Sequence, residues 1–182
     1  MNPSPVVIRR ITGVDVPTIA RHRAQMFSDM GSLPADLYQP LMQEAATYLE
    51  GAVARGEYVG WFACPVGSPG EVVAGAGVQL RRTLPHSIEA NGRRRLVQGR
   101  QGIVLNVFTE KAWRRRGVAE LLMKTVLEWA RAERLDTLVL HAAPEGRHLY
   151  EKLGFRQTNE MRYTGDLTSP PAPLPPGEGS VP

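Results

Sequence analysis

Three arginines, two small residues and a predicted helix start lie together in the stretch AWRRRGVAELLM, residues 112–123. The first amides of a helix have no acceptor within the helix, and the helix dipole adds partial positive charge there. Gly117 has no Cβ and Ala119 is small, so that a ligand can approach the backbone closely, and Arg114–Arg116 add charge-assisted donors. A phosphate is the natural ligand for such a site. The pattern is short, and it also suits a nucleic acid or a solvated helix start.

A second pattern, HLYEKLGF at residues 148–155, follows after one helical and one strand-like segment. With both patterns in this order, the sequence resembles the GNAT superfamily of acetyl-CoA-dependent N-acetyltransferases. Arg114-x-x-Gly117-x-Ala119 matches the family signature (Q/R)xxGx(G/A), and Leu149 to Phe155 match LYxxxGF. The resemblance extends over about residues 6–166, although only the second half carries recognisable motifs. It implies an α/β GNAT fold, in which a single mixed, largely antiparallel sheet has helices on both faces.

The resemblance implies acetyl-CoA as the acyl donor and coenzyme A as a product. In the family, backbone amides hold the CoA pyrophosphate, a role that here falls on Arg115, Arg116, Gly117, Val118 and Ala119, with Arg114 beside them. The pantetheine arm pairs with the end of the preceding strand, which here means Val107, Phe108 and Thr109. One of those amides is expected to stabilise the oxyanion that develops on the acetyl carbonyl.

The family resemblance places the general acid on Tyr150, the tyrosine of LYxxxGF. Because a phenol is a slightly weaker acid than a thiol, both full proton transfer and a hydrogen bond to the departing sulfur stay open. The base is less defined, since histone-acetylating relatives carry a glutamate where this chain has Ile103. Ordered water and His141, an imidazole at a strand end, are the two candidates, with Glu145 as a weaker one. His141 equally suits a structural hydrogen bond.

A further departure is Ala143, which stands where the family commonly has an asparagine that contacts the cofactor. For the acceptor, the resemblance implies a site beside the first helix, with candidate wall residues Arg23, Met26, Phe27, Asp29 and Met30. Met and Phe at helical spacing also suit a core. The acceptor is expected to be a primary amine, either a small metabolite or drug-like amine or a peptide N-terminus.

Two other functions compete with an enzyme. One is a non-catalytic acyl-CoA-binding or interaction module, against which the presence of Tyr150 argues. The other is nucleic-acid binding through Arg93–Arg95 and Arg114–Arg116, which lacks the interleaved aromatic residues of such proteins. We therefore expect no nucleic-acid partner.

Local patterns predict the elements that position these residues. Apolar runs predict strands, and capping, Pro and Gly signals delimit helices. The predicted strands are Val6–Arg10, Tyr58–Cys64 and Val72–Leu80 as a hairpin, Gly102–Thr109, Thr137–Leu140, and closing strands that begin at Phe155. The predicted helices follow Asp15 to about Met30, run from Asp36 to about Ala54, start at Val118, and run from Glu145 to Leu153. Residues 81–100 are expected to be a polar, arginine-rich connection.

Composition limits the remaining choices. The 182 residues, 42% of them hydrophobic, suit one globular domain at 1–167, followed by a Pro/Gly/Ser-rich tail at 168–182 expected to be disordered. The net charge of +4 favours anionic partners without identifying one. The single Cys64 excludes an internal disulfide, and it is expected to be buried. With no signal-like or membrane-spanning stretch, a cytoplasmic protein without a metal or membrane partner is expected, and a homodimer stays open.

Overall fold

The computed structural model describes residues 5–90, 92–158 and 160–164, so that the tail predicted at 168–182 lies outside the described residues. Short 3-10 turns lead into α1, α2 and α4. In chain order, the elements are β1 (Val6–Arg10), α1 (Val16–Asp29), α2 (Tyr38–Ala54), β2 (Tyr58–Pro65), β3 (Ala74–Arg82), β4 (His86–Ala90), β5 (Arg93–Val97), β6 (Arg100–Thr109), α3 (Val118–Ala132), β7 (Thr137–Leu140) and α4 (Arg147–Lys152).

Five strands form one mixed sheet in the order β1-β2-β3-β6-β7. All neighbours are antiparallel except β6 and β7, which are parallel because α3 connects them. One face packs its apolar side chains on α1 and α2, and the other packs on α3 and α4. The mixed, largely antiparallel sheet with helices on both faces is therefore confirmed.

Strand β2 shows why the chain folds into these layers. It is buried along nearly its whole length, as expected of a strand covered on both faces. Trp61 points to the α3 side, whereas Tyr58, Phe62 and Cys64 point to the α1 and α2 side. The burial of Cys64 agrees with the prediction from sequence.

Two glycines in β3 make room for these rings. A Cβ at Gly75 would lie 2.9 Å from the Phe62 ring, and one at Gly77 would overlap the Tyr58 hydroxyl. Their missing side chains let Tyr58 cross β3, and its hydroxyl therefore reaches the neighbouring strand β6.

Three predictions are wrong. The connection at 81–100 contains the hairpin β4–β5, which forms a separate two-stranded sheet. The sequence did not predict it because charged and apolar residues do not alternate along its strands. The hairpin does not bury its apolar residues either, since Leu96 is 74% exposed. The described residues after Phe155 contain no strand, and Phe155 instead packs on the Tyr150 ring. The last helix begins at Arg147, since Pro144–Gly146 form a 3-10 turn.

None of the helices in the described part of the chain combines the length and the apolar character needed to cross a membrane.

Candidate active site

The parallel strands β6 and β7 separate partway along the sheet. They pair only between Gln101–Val104 and Thr137–Leu140. β6 continues to Thr109, and no other described strand pairs with its open edge beyond Val104. An unpaired edge offers backbone donors and acceptors to an extended ligand. The residues predicted to pair with pantetheine, Val107, Phe108 and Thr109, all lie on this open segment.

A β-bulge shapes the same segment. Gly77 pairs with Leu105 and Gly75 pairs with Phe108, so that β6 contains one residue more than β3 between these pairs. Asn106 has a φ of 54°, in the left-handed region that asparagine tolerates better than most residues. Because a bulge bends its strand and increases the local twist, it redirects the backbone of the three residues that follow Asn106.

Buried hydrogen bonds hold the bulge in place. The side chain of Asn106, which is 6% exposed, donates from Nδ2 to the Tyr58 hydroxyl at 3.0 Å. Its Oδ1 accepts a hydrogen bond of 2.9 Å from the Arg23 guanidinium. Burial raises the pKa of Tyr58 to about 12, which keeps the phenol protonated. Side chains from α1, β2 and β6 therefore fix the backbone beside the open edge.

The loop between β6 and α3 turns through two left-handed residues, Arg115 with a φ of 63° and Gly117 with a φ of 79°. Gly117 is the N-cap of α3, and no described side chain caps this helix. A Cβ at Gly117 would have no atom within 4 Å. The space beside Gly117 is therefore open at the start of α3, where the positive end of the helix dipole lies. This arrangement fits a diphosphate at Gly117, Val118 and Ala119.

The three arginines of the loop have different surroundings. Arg114 Nε donates to the Thr109 carbonyl at 2.9 Å, and its guanidinium forms an ion pair with Asp29 at the end of α1. The Arg116 guanidinium lies 5.2 Å from the centroid of the Trp113 ring. Arg115 is exposed on the loop. Arg114 therefore ties the loop to β6 and α1, while Arg115 and Arg116 flank the helix start.

The charge of Asp29 is stabilised by this anchoring. Burial opposes its ionisation, but hydrogen bonds from Arg114 and Gln25 and the nearby charge of Lys111 outweigh that effect and lower its pKa. Asp29, an acceptor-wall candidate, thus already binds two cations, since Lys111 Nζ lies 3.5 Å away. An ammonium group would have to displace one of them to bind this carboxylate.

Of the other wall candidates, Arg23, Met26 and Phe27 lie on α1, and Met30 directly follows it. Met26 and Phe27 are half-buried, and Met30 is more exposed. The Arg23 guanidinium lies 5.0 Å from the Phe27 ring centroid and contacts Asn106 in the bulge. Arg23 therefore contacts β6 directly beside the open edge.

Tyr150 lies on α4 and packs against the core on the α3 side. Its ring meets that of Phe155 edge to face, with centroids 6.0 Å apart. Burial raises the pKa of Tyr150. Its hydroxyl makes no hydrogen bond to another described residue, which leaves it available to a ligand.

The candidates for a base lie at the surface. His141 directly follows β7, and its Nε2 lies 2.6 Å from Oε1 of Glu160, another exposed residue. Glu145 is exposed in the turn before α4. Ile103 lies on β6, where it pairs with Val139 of β7, and Ala143 caps the turn before α4.

The sequence analysis did not identify two buried polar residues, Asn106 and His22, between the sheet and α1. Asn106 was detectable, because it interrupts the apolar run GIVLNVFT, and buried polar groups need partners. His22, on α1, is 1% exposed and lies between the rings of Phe62 and Phe108. No described residue forms a hydrogen bond with either of its ring nitrogens. Burial and the charge of Arg21 lower the pKa of His22 to about 3.

A small cavity of about 10 Å³ adjoins His22, Tyr58 and Asn106. Its volume is close to the minimum for a single water, but its surface is almost entirely apolar. Both nitrogens of the buried imidazole therefore lack a partner among the described residues, and each costs about 1–3 kcal/mol.

Comparison with known proteins shows the class of protein to which this fold belongs. The family model for the acetyltransferase (GNAT) family matches residues 24–155. This chain belongs to that family. A comparison with the curated proteins gave no match.

Solved structures show the same fold. A GCN5-related N-acetyltransferase from Ralstonia eutropha JMP134 is 26% identical, with a TM-score of 0.75 over 87% of this chain and 97% of that one. A predicted acetyltransferase with acetyl-CoA from Clostridium acetobutylicum is 22% identical, with a TM-score of 0.71 over 88% and 96%. Glucosamine-6-phosphate N-acetyltransferase from Arabidopsis thaliana is 13% identical, with a TM-score of 0.61 over 88% and 99%.

Proposed function

We propose that this protein transfers the acetyl group of acetyl-CoA to a primary amine. The observation that supports the proposal is that the open edge of β6 leads, through the loop at residues 110–117, to the uncapped start of α3. An extended pantetheine arm on Val107–Thr109 would therefore continue into a diphosphate at residues 115–119. Few ligands other than a CoA thioester combine these two parts.

The residues of the loop bind and orient the cofactor. Backbone amides at the start of α3 hold the pyrophosphate, and Arg115 and Arg116 add positive charge at the rim. Arg114 keeps the loop in place through Thr109 and Asp29. Ala143 offers no side-chain hydrogen bond to the cofactor, so that this chain depends more on its loop for affinity.

Acetyl-CoA supplies an acetyl group that its thioester activates for attack by an amine. An amide among Val107, Phe108 and Thr109 stabilises negative charge on the acetyl oxygen, because the bulge and its buried bonds fix that amide in advance. Tyr150 holds a proton on its hydroxyl beside the leaving sulfur, and its raised pKa favours a hydrogen-bond donor. Ordered water takes the proton of the amine, with His141 and Glu160 as the alternative route.

Release of free thiol from acetyl-CoA with a panel of primary amines tests this proposal. We expect turnover by the wild type, and a loss of about 100-fold in kcat with unchanged acetyl-CoA affinity in Tyr150→Phe. Tyr163→Phe is the matched control, because Tyr163 is 71% exposed. Cofactor binding without turnover for any amine, small or peptidic, would instead favour a non-catalytic acyl-CoA-binding module.

A further inference from the structure

Arg23 is a half-buried cation without an anionic partner among the described residues. Its guanidinium donates to the neutral Asn106 and lies over the ring of Phe27. No carboxylate of a described residue forms an ion pair with it. Burial lowers the pKa of Arg23, as expected where a charge has lost water without gaining a counter-ion. Charges removed from water are usually paired, and the guanidinium of Arg23 departs from this rule.

Two carboxylates on or next to the elements that Arg23 joins are engaged elsewhere. On the same helix, Asp29 binds Arg114 and Lys111. Glu110, directly after β6, lies 2.8 Å from the guanidinium of Arg21. These acidic side chains therefore balance other cations, and the charge of Arg23 is left uncompensated.

A purely structural role would not need this charge. Asn106 Oδ1 needs one donor, which a neutral amide or hydroxyl side chain could supply at less desolvation cost. A guanidinium has five N–H donors, and the bond to Asn106 uses one nitrogen of the group. None of the remaining nitrogens is among the buried side-chain atoms without a partner, so they can receive a ligand.

We propose that Arg23 binds an anionic group of the acceptor, so that the preferred substrates are amines that carry a carboxylate or a phosphate close to the reacting nitrogen. This inference rests on the proposed function. It follows because Arg23 contacts Asn106, the residue directly before the Val107–Thr109 segment that would hold the thioester. A guanidinium beside that segment is placed to meet an anionic group of the acceptor, and its planar fork matches an oxyanion.

The same charge distribution disfavours amines that carry additional positive charge. Asp29, the carboxylate on the acceptor wall, is occupied by two cations, and Arg23 would repel an ammonium group that approached it. A peptide N-terminus without a nearby acidic group gains nothing from Arg23. An amino acid gains an ion pair.

Two pairs of acceptors test the inference, L-leucine against L-leucinamide and phosphoethanolamine against ethanolamine. Within each pair the covalent structure differs only at the anionic group, and the two pairs distinguish carboxylate from phosphate. Because that group also changes the pKa of the amine, rates are compared at equal concentrations of unprotonated amine. In the wild type, we expect kcat/KM to be higher for the anionic member of at least one pair. In Arg23→Gln, we expect KM to rise about 10- to 100-fold more for that member than for the neutral member. Both members lose the support that Arg23 gives to Asn106, but only the anionic member loses an ion pair.

Two further variants control the measurement. Arg23→Lys keeps a point charge without the fork and should retain part of the preference. Arg55→Gln removes an arginine from an exposed ion pair with Glu57 and should change nothing. If Arg23→Gln does not fold, as judged by thermal unfolding, the wild-type preference and Arg23→Lys decide the question.

The outcomes separate this inference from the proposed function. Equal turnover of both members of each pair, or an equal loss for both in Arg23→Gln, overturns the inference and leaves the acetyltransferase proposal intact. The inference is also overturned if acetyl-CoA binds but none of the four amines reacts. Failure of acetyl-CoA to bind overturns the proposed function first, and the inference with it.

Discussion

Acidification should destabilise this protein through one residue, His22. The imidazole is 1% exposed, and burial together with the charge of Arg21 lowers its pKa from 6.5 to about 3. Glu110 lies 3.8 Å from Nε2 but is already paired with Arg21, so that it does little to favour the protonated ring. The folded protein therefore keeps His22 neutral at a pH where the unfolded chain binds a proton.

The sign and size of the effect follow from this difference. Between pH 6.5 and pH 3 the unfolded state binds more protons at this site, so the free energy of unfolding falls as the pH falls. Well below pH 6.5, each pH unit lowers the free energy of unfolding by about 1.4 kcal/mol. Acidification from about pH 7 to about pH 5 therefore lowers it by about 2 kcal/mol in total. Asp15 and Asp29 have their pKa values lowered from 3.8, so they contribute below this range.

Urea unfolding, measured at several pH values from about pH 7.5 to about pH 5, tests the effect directly. The free energy of unfolding of the wild type should fall by about 2 kcal/mol over this range. His22→Gln should be less stable at neutral pH but nearly independent of pH, because it cannot titrate. His86→Gln is the matched control, since His86 is exposed, and it should behave like the wild type.

A flat pH profile in the wild type, or an unchanged slope in His22→Gln, would refute the reasoning. Either result would mean that the imidazole is protonated in the native state or that it is solvated. A large native-state cavity filled with water would be the physical alternative.

Three further predictions concern the bulge. Asn106→Gly and Asn106→Ala both lose the hydrogen bonds to Tyr58 and Arg23. In steady-state kinetics, both variants should lower kcat more than they raise KM for acetyl-CoA. Equal effects on the two constants would contradict a positioning role for Asn106. Asn106→Ala should also be about 1 kcal/mol less stable than Asn106→Gly in urea unfolding, because alanine is strained at a positive φ. Tyr58→Phe leaves the Asn106 amide unsatisfied and should cost about 1–3 kcal/mol of stability, while Tyr163→Phe, an exposed control, should cost nothing measurable.

Features encoded by local sequence were predictable. The apolar runs of β1, β2, β6 and β7 and the glycine before α3 are visible in short windows, and their bounds agree with the structure to within a few residues. The surroundings of Gly117 are open, as the close approach of a ligand requires, whereas its positive φ was not predicted from the sequence.

Features that depend on distant contacts were not predictable. The pair of Arg114 with Asp29 joins residues 85 positions apart, and nothing in the spacing around Arg114 indicates it. The bonds from Asn106 to Tyr58 and Arg23 depend on strand register and on a bulge. The hairpin β4–β5 was missed because Arg93–Arg95 give a strand no apolar face. The contacts of Arg114 and Asn106 belong to the candidate site, where polar and charged residues replace the regular pattern.

Calorimetric titration of acetyl-CoA into wild type, Gly117→Ala and Gly117→Glu tests the central claim, that the start of α3 binds the diphosphate of the cofactor. Both variants share the backbone strain of a side chain at positive φ, so their difference measures how bulk and negative charge beside the helix amides affect binding. We predict binding by the wild type, weaker binding by Gly117→Ala, and none by Gly117→Glu, with similar thermal unfolding midpoints in the two variants. Undiminished affinity in Gly117→Glu would contradict the account.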